Sequence, residues 1–498
     1  MSTESAVNET LIRSVVEEVM GRLGGSAPKS APSPAPARPA AAPVAETRPA
    51  RSGGRHFGVF GDAHEACEAA AAAFRQLQEK GVAARRRVVE IVKSTCESKA
   101  TEWAKIELDE TKIGRLDHKI EKLQIIKLVP GVDFIQPYAL SGDHGITHEE
   151  YTPFGVIGAV TPSTHSIPTV SSNVVSMVSG GNAVVFNPHP SACRSAALAV
   201  RTFNEAIQHD LGIENLICLI EQPTLESFKA MCTDEHVRLL CVTGGPGVVK
   251  AAMGTGKRAI CAGPGNPPVV VAEDACPDRA SRHVIQGAAY DNNLLCIGEK
   301  EVFVVDKIAD AFLAALEKNG AVRLNDAQLD QLTKAAFTFK PGEGGGCPHA
   351  VLNKELIGKD AAVLARAAGV NVGPKTELLF AETDASHAFV VEEQMMPFIP
   401  IVRVRSVEEG IVAAKNAEHN YRHTSIIHTY DVNYMTAMAR ALDTTLFIKN
   451  GPCMAGLGLG GEGYLSYSIA TPTGEGVTNP KTFCRVRRCI MVDNLRIY

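Results

Sequence analysis

The feature that most constrains this chain is a repeated local pattern in its first half. An apolar run ends in a turn built on Gly or Pro, and a helical pattern follows. "NAVVFNPHPSA" (182–192) has Ala183 to Phe186 as the run and breaks at Pro188. "VRLLCVTGGPGVVKAAM" (237–253) repeats the form as strand, glycine turn and helix. "NPPVVVAED", "KEVFVVD" and "FIPIVRVRS" add further short β-branched runs downstream. Strands that alternate with helices build parallel sheets covered by helices, so the pattern predicts an α/β fold.

Length and charge fit this reading. The chain has 498 residues, enough for two or three domains, and a formal net charge of −5. No basic stripe favours nucleic acid. No apolar run is long enough to span a membrane. The 13 cysteines are odd in number and form no CxxC pairs, which suits a reducing compartment. His419 and His423 are spaced as a pair but have no third ligand near them in sequence, and no metal is predicted.

The first 55 residues differ from the rest. Residues 8–23, "NETLIRSVVEEVMGRL", place Leu11, Ile12, Val15, Val16, Val19, Met20 and Leu23 on one helical stripe. Asn8 can cap this helix, and Gly24-Gly25 stops it. Residues 26–50 carry seven prolines among alanines and serines and read as an extended, disordered linker. Two roles stay open for residues 1–25: a helix that packs between subunits, or a docking peptide that finds another protein's groove.

Other motifs are ambiguous when read singly. The turn at Thr243, Gly244 and Gly245 is either an ordinary glycine turn or a helix start whose free N–H groups meet a pyrophosphate. "GLGLGGEG" (456–463) contains a GxGxxG but follows no clean strand, so it reads as a flexible loop near a site. "GEGGG" (342–346) reads as a surface turn. In "YDNNLLCIGEKEVFVV" (290–305), Cys296 falls at a junction between a polar pair and an apolar run, where a backbone can present a thiol. Cys241 and Cys261 read as core, and Cys453 as the lining of a pocket.

The order of the pieces says more than any one of them. "PFGVIGAVTPSTHSIPT", "GGNAVVFNPHPSA", "VTGGPGVV", "AGPGNPPVVV", Cys296, "EEQMMPFIPIV" and "KNGPCMAGLGLGGEG" follow one another from about residue 56 to the end. This succession resembles the aldehyde dehydrogenase superfamily. More narrowly, it resembles the CoA-acylating enzymes of bacterial microcompartments that act on propionaldehyde or acetaldehyde.

The resemblance implies an architecture. A Rossmann-like NAD-binding domain is expected over 56–275, with an arm near 128–152. An α/β catalytic domain is expected over 276–463. The segment 464–498 then returns and ends in an oligomerisation strand, "RRCIMVDNLRI", of a dimer or tetramer. Residues 1–25 become an encapsulation helix for a shell protein, and 26–55 its tether.

It also implies roles. Cys296 is the nucleophile, with a lowered thiol pKa, and forms a thioester. Its own N–H and either His165 or Thr164 meet the oxyanion, because the family's usual Asn is missing. Thr243, Gly244 and Gly245 face the NAD pyrophosphate. Asn187, Pro188 and His189 stand near the adenosine ribose, and Glu393 holds the nicotinamide ribose. Hydrolytic members carry a Glu where this chain has Ala262 in Ala262-Gly-Pro-Gly-Asn266. Without that base water is not activated, and the thioester waits for CoA. The alternatives are a hydrolytic enzyme that releases free acid and a degenerate fold kept as a tethered structural protein.

Overall fold

The strands Val156–Thr161 and Ala183–Pro188 are buried at every position. A strand covered on both faces reads as a near-continuous apolar run rather than an alternating one, which is why the pattern was visible. In the computed structural model they lie in a six-stranded sheet, all parallel. Its order is Val59–Phe60, Ile217–Ile220, Ala183–Pro188, Val156–Thr161, Val237–Thr243, Ala259–Ala262. After Val156–Thr161 the chain first builds outward to one side and then returns to the other. The switch point therefore lies between Val156–Thr161 and Val237–Thr243, where a crevice opens beyond the carboxyl ends.

A second, seven-stranded parallel sheet follows. Its order is Val322–Arg323, Leu379–Glu382, Phe398–Val404, Glu301–Val305, Pro268–Val271, Thr424–His428, Leu446–Lys449. "NPPVVVAED" belongs to this sheet, paired with Glu301–Val305 and Thr424–His428. The chain crosses between sheets from Ala262 to Pro268, ahead of the expected boundary at 275/276. A short β-branched run has the same local signature in either sheet, so its partner could not be read from it.

The structure describes residues 56–340 and 349–493. The helix at 8–23, the linker, the docking segment 1–25 and the turn at 342–346 lie outside them. The described residues belong to one unit, Arg55–Tyr498. A helix over Ala63–Thr111, broken at Gly81, runs along the first sheet. The helix Ser166–Ser179 is buried on all sides. The arm is a three-stranded antiparallel sheet of Tyr138–Gly142, Gly145–Pro153 and Cys484–Val492. The expected final strand thus starts at Cys484 and pairs with Gly145–Pro153 of its own chain. Among the described residues no helix is long and apolar enough to cross a membrane.

Candidate active site

A cavity of about 560 Å³ opens at the switch point. The first sheet gives it Thr161 to His165, Asn187 to Pro190 and Thr243 to Pro246, all at or beyond strand carboxyl ends. The second sheet gives residues that precede its strands: Gly263 and Pro264, Leu294 and Cys296, Glu393 and Met395. Carboxyl ends of one sheet thus face amino ends of the other. All ten expected site residues line this space: Thr164, His165, Asn187, Pro188, His189, Thr243, Gly244, Gly245, Cys296 and Glu393. Of the 12 described cysteines, Cys296 alone is among the lining residues.

The loop that delivers Cys296 has an unusual backbone. Asp291, Asn292 and Asn293 have φ of 48°, 56° and 64°, three left-handed residues in a row. Asp and Asn tolerate that region better than other side chains with a Cβ. Each is also tied down. Asp291 accepts from the Arg115 N–H at 2.7 Å and from Lys122, and its own N–H donates to His118 at 2.9 Å. Asn292 donates to the Gly358 carbonyl and to Asp360, both at 2.9 Å. Asn293 donates to the carbonyls of Ala288 at 2.9 Å and Glu299 at 2.8 Å. The Asp-Asn-Asn run before the cysteine is therefore the frame of the Cys296 loop, a role that sequence reading did not give it.

The expected lowering of the Cys296 thiol is not what the surroundings produce. Burial pushes it up to about 12 and the Glu393 carboxylate adds to this, while Lys300, its own N–H and Lys122 draw it down. Burial likewise raises Glu393, and Lys300 and the Gly265 N–H oppose that rise. His165 begins the buried helix, and its Nδ1 has no partner. Burial, aided by Lys122, holds it well below the ordinary histidine value, so it is neutral. Thr164 is half-buried beside it.

The coenzyme side fits a dinucleotide. Gly245 is the N-cap of the helix Pro246–Met253, and no side chain caps it. Its first-turn N–H groups are left for an anion. A Cβ on Gly245 would meet nothing within 4 Å, whereas one on Gly244 would stand 2.8 Å from Val248. The Thr243 hydroxyl is engaged by Ser468 at 2.8 Å. Asn187 accepts from Ser227 at 2.7 Å, which leaves its amide N–H groups to the cavity. Pro188 ends its strand, and His189 holds the next turn through Ser191, with 2.7 Å to the hydroxyl.

The segment in place of the hydrolytic Glu holds no acid. Ala262 is buried at the end of its strand, and Asn266 is buried and donates to the carbonyls of Val390 and Ala417. A Cβ on Gly265 would stand 2.5 Å from the Cys296 carbonyl oxygen and 2.8 Å from His423, so the loops meet there at backbone distance. Glu393 is the one carboxylate among the described lining residues.

Cys241 and Cys261 are core, as expected, but Cys453 is not a lining residue. It is fully buried, and its N–H donates to Glu299 at 2.9 Å. His419 and His423 go separate ways: His419 meets the Val391 carbonyl, and His423 meets Thr424. His423 lies against the nucleophile loop with its Nε2 unpartnered, and burial, aided by Lys300, pushes it down to about 4. Sequence reading gave it no place at the site and took it for an ordinary surface or core histidine; it is fully buried. Away from the cavity, His64, Asp234 and His236 place ligand atoms within 4.8 Å of one another, and both rings already bond the carboxylate.

Comparisons with known proteins agree with this geometry. The model of the aldehyde dehydrogenase family matches residues 60–461. The acetylating acetaldehyde dehydrogenase EutE of Salmonella typhimurium is 42% identical over 88% of this chain and 93% of its own. The structure of Rhodopseudomonas palustris propionaldehyde dehydrogenase with bound CoA and an acylated cysteine superposes with a TM-score of 0.85 at 41% identity, covering 89% of this chain and all of that one. A propionaldehyde dehydrogenase from the Clostridium phytofermentans fucose utilisation microcompartment gives 0.84 at 39% identity, with 89% of this chain and 100% of that one covered. The chain belongs to the aldehyde dehydrogenase family.

Proposed function

We propose that the protein is a CoA-acylating aldehyde dehydrogenase that turns a two- or three-carbon aldehyde, NAD and CoA into acyl-CoA and NADH. Cys296, as thiolate, adds to the aldehyde carbon. The oxygen that becomes negative is met by the Cys296 N–H and by His165 or Thr164. NAD, when bound, accepts the hydride, and the acyl group stays on Cys296 as a thioester. Gly244, Gly245 and the free turn of their helix hold the pyrophosphate, Asn187 to His189 the adenosine end, and Glu393 the nicotinamide ribose.

One observation carries the acylating outcome. Among the described lining residues the nucleophile shares its cavity with a single carboxylate, Glu393, whose charge the Lys300 ammonium and the Gly265 N–H favour against burial. Among the described lining residues no second acid stands to activate water where hydrolytic members carry their Glu, so the thioester passes to a thiol that brings its own nucleophilicity. CoA attacks the acyl carbon, and the Cys296 thiolate leaves. Turnover of two- to four-carbon aldehydes with NAD should give acyl-CoA when CoA is present. Free acid formed equally fast without CoA would point to a hydrolytic enzyme, and no NADH at all to a structural protein.

The finer reading places the enzyme in the lumen of a bacterial microcompartment as a homo-oligomer. The arm supports assembly: Tyr138, Leu140, Val486, Ile490 and Val492 expose apolar surface on it, and Cys484–Val492 keeps one free edge. Residues 1–25 dock to a shell protein through their apolar stripe. Deleting them should leave rates unchanged and abolish encapsulation. Fusing them to a fluorescent cargo should carry it into shells, and charges at Ile12, Val16 and Val19 should stop this. Diffuse cargo in cells that assemble shells would favour the subunit-packing role instead.

A further inference from the structure

Lys300 is fully buried against the loop that carries Cys296. Its Nζ donates to the Asn293 carbonyl at 2.9 Å, to the Leu295 carbonyl at 3.2 Å and to the Asn293 side-chain oxygen. Three oxygens converge on one nitrogen. An ammonium ion has three N–H bonds to give them, whereas a neutral amine has two. The geometry thus favours the charged form, against burial, which lowers Lys300 from its ordinary value, and with the Glu393 charge opposing that fall. Both carbonyls belong to the loop that delivers Cys296, so the same contacts that require the charge also fix the thiol's position.

The neighbours leave this charge largely uncancelled. Glu301 is buried with neither oxygen partnered, and burial keeps it protonated. The Cys453 thiol and the His423 imidazole are both held neutral by burial. Glu299 is pushed up to about 7 by burial and gains charge only as the pH passes neutrality. The Lys122 ammonium ion is paired with Asp291. Among the described neighbours Glu393, although raised by burial, gives Lys300 its largest opposing charge, and it also faces the cavity.

We propose that Lys300 is a positioning residue for the thiol chemistry. Its ammonium ion fixes the carbonyls of the Cys296 loop and is the buried positive charge against which Cys296 ionises, with Glu393 as the opposing charge. This deepens the reading of Cys296 as the nucleophile and rests on it.

The test measures the thiol without turnover. Full-length protein, free of aldehyde and CoA, is treated with iodoacetamide from about pH 6 to about pH 10, and alkylation of the Cys296 peptide is counted by mass spectrometry. A thiol held up to about 12 titrates above this range, so Lys300→Met should slow alkylation about tenfold or more at every pH in it. Lys300→Arg keeps the charge and should recover most of that loss, whereas loosening of the loop alone would leave both variants slow. Glu393→Gln should act the other way and speed alkylation about threefold or more near neutral pH. This arm stands even where Lys300→Met does not fold. Wild-type rates in Lys300→Met, an equally slow Lys300→Arg, or unchanged or slower alkylation in Glu393→Gln overturns the assignment. A parallel acyl-CoA assay separates the two readings. The expected alkylation rates without acyl-CoA product leave Lys300 in its role and remove the acylating function, and the reverse result does the opposite.

Discussion

Cys296→Ala should abolish acyl-CoA formation, with kcat/KM down by about 10³-fold or more, while NAD binds as in wild type. The loss is expected to be near total because no second thiol among the described residues lines the cavity. Cys453 is buried behind Glu299, and Cys241 and Cys261 are fixed within strands of the first sheet. Cys296→Ser should fare little better, since a hydroxyl is far less ionised than a thiol near neutral pH. Coenzyme affinity is the control. Gly244, Gly245 and Asn187 belong to the first sheet's turns, and none of the hydrogen bonds described for them involves Cys296. NAD affinity by fluorescence titration and NADH formation by absorbance check both halves. A mutant with more than a few per cent of wild-type activity would remove Cys296 from its role.

The largest effect on stability is expected at Asp291. Asp291 and Lys122 pair with neither side chain exposed, and Lys119 pairs with Glu107 alongside at 2.9 Å. Glu107 also takes the Ile167 N–H at the start of the helix that follows His165. These ions tie the Cys296 loop to the start of the helix after His165. Asp291→Asn leaves the Lys122 charge buried and uncompensated, which costs about 3–5 kcal/mol. It should lower the thermal midpoint and the activity together.

The pH dependence follows from the direction of the shift at Asp291. Burial works against its charge, but Lys122, Lys119 and the Arg115 N–H prevail and hold the carboxyl below its usual value. The stability it contributes is therefore complete above the unfolded value of about 3.9. It is lost as the pH falls through the lower folded value. Asp291→Asn should remove that part of the acid transition. A variant as stable as wild type, with an unchanged acid limb, would contradict the pairing.

The contrast between Cys296 and Asp291 shows what the sequence made legible. Cys296, Gly244, Gly245 and Glu393 were expected because the order of their motifs resembles the family's, and all four line the cavity. Ala262 was found as a departure within one such segment. Asp291, Lys122, Glu107 and Lys300 were not. Asp291 meets a lysine 169 positions away, and Glu107 a backbone N–H 60 positions away. A lysine in a Gly-Glu-Lys turn looks like a solvated charge until the oxygens around it are known. The sheet boundary failed for a related reason, since "NPPVVVAED" names a strand but not its neighbours. The low thiol pKa failed because burial, which depends on the whole fold, outweighs the local groups.

The central claim is that the acyl group rests on Cys296 until CoA takes it. The direct measurement is a single-turnover experiment with aldehyde and NAD, first without CoA. NADH should appear in a burst of about one equivalent per subunit and then stall, as expected when deacylation lacks a base. Mass spectrometry should find the acyl group on the Cys296 peptide, and adding CoA should clear it as acyl-CoA at once. Sustained NADH production at the full rate without any thiol, with Cys296 unmodified, would contradict the account.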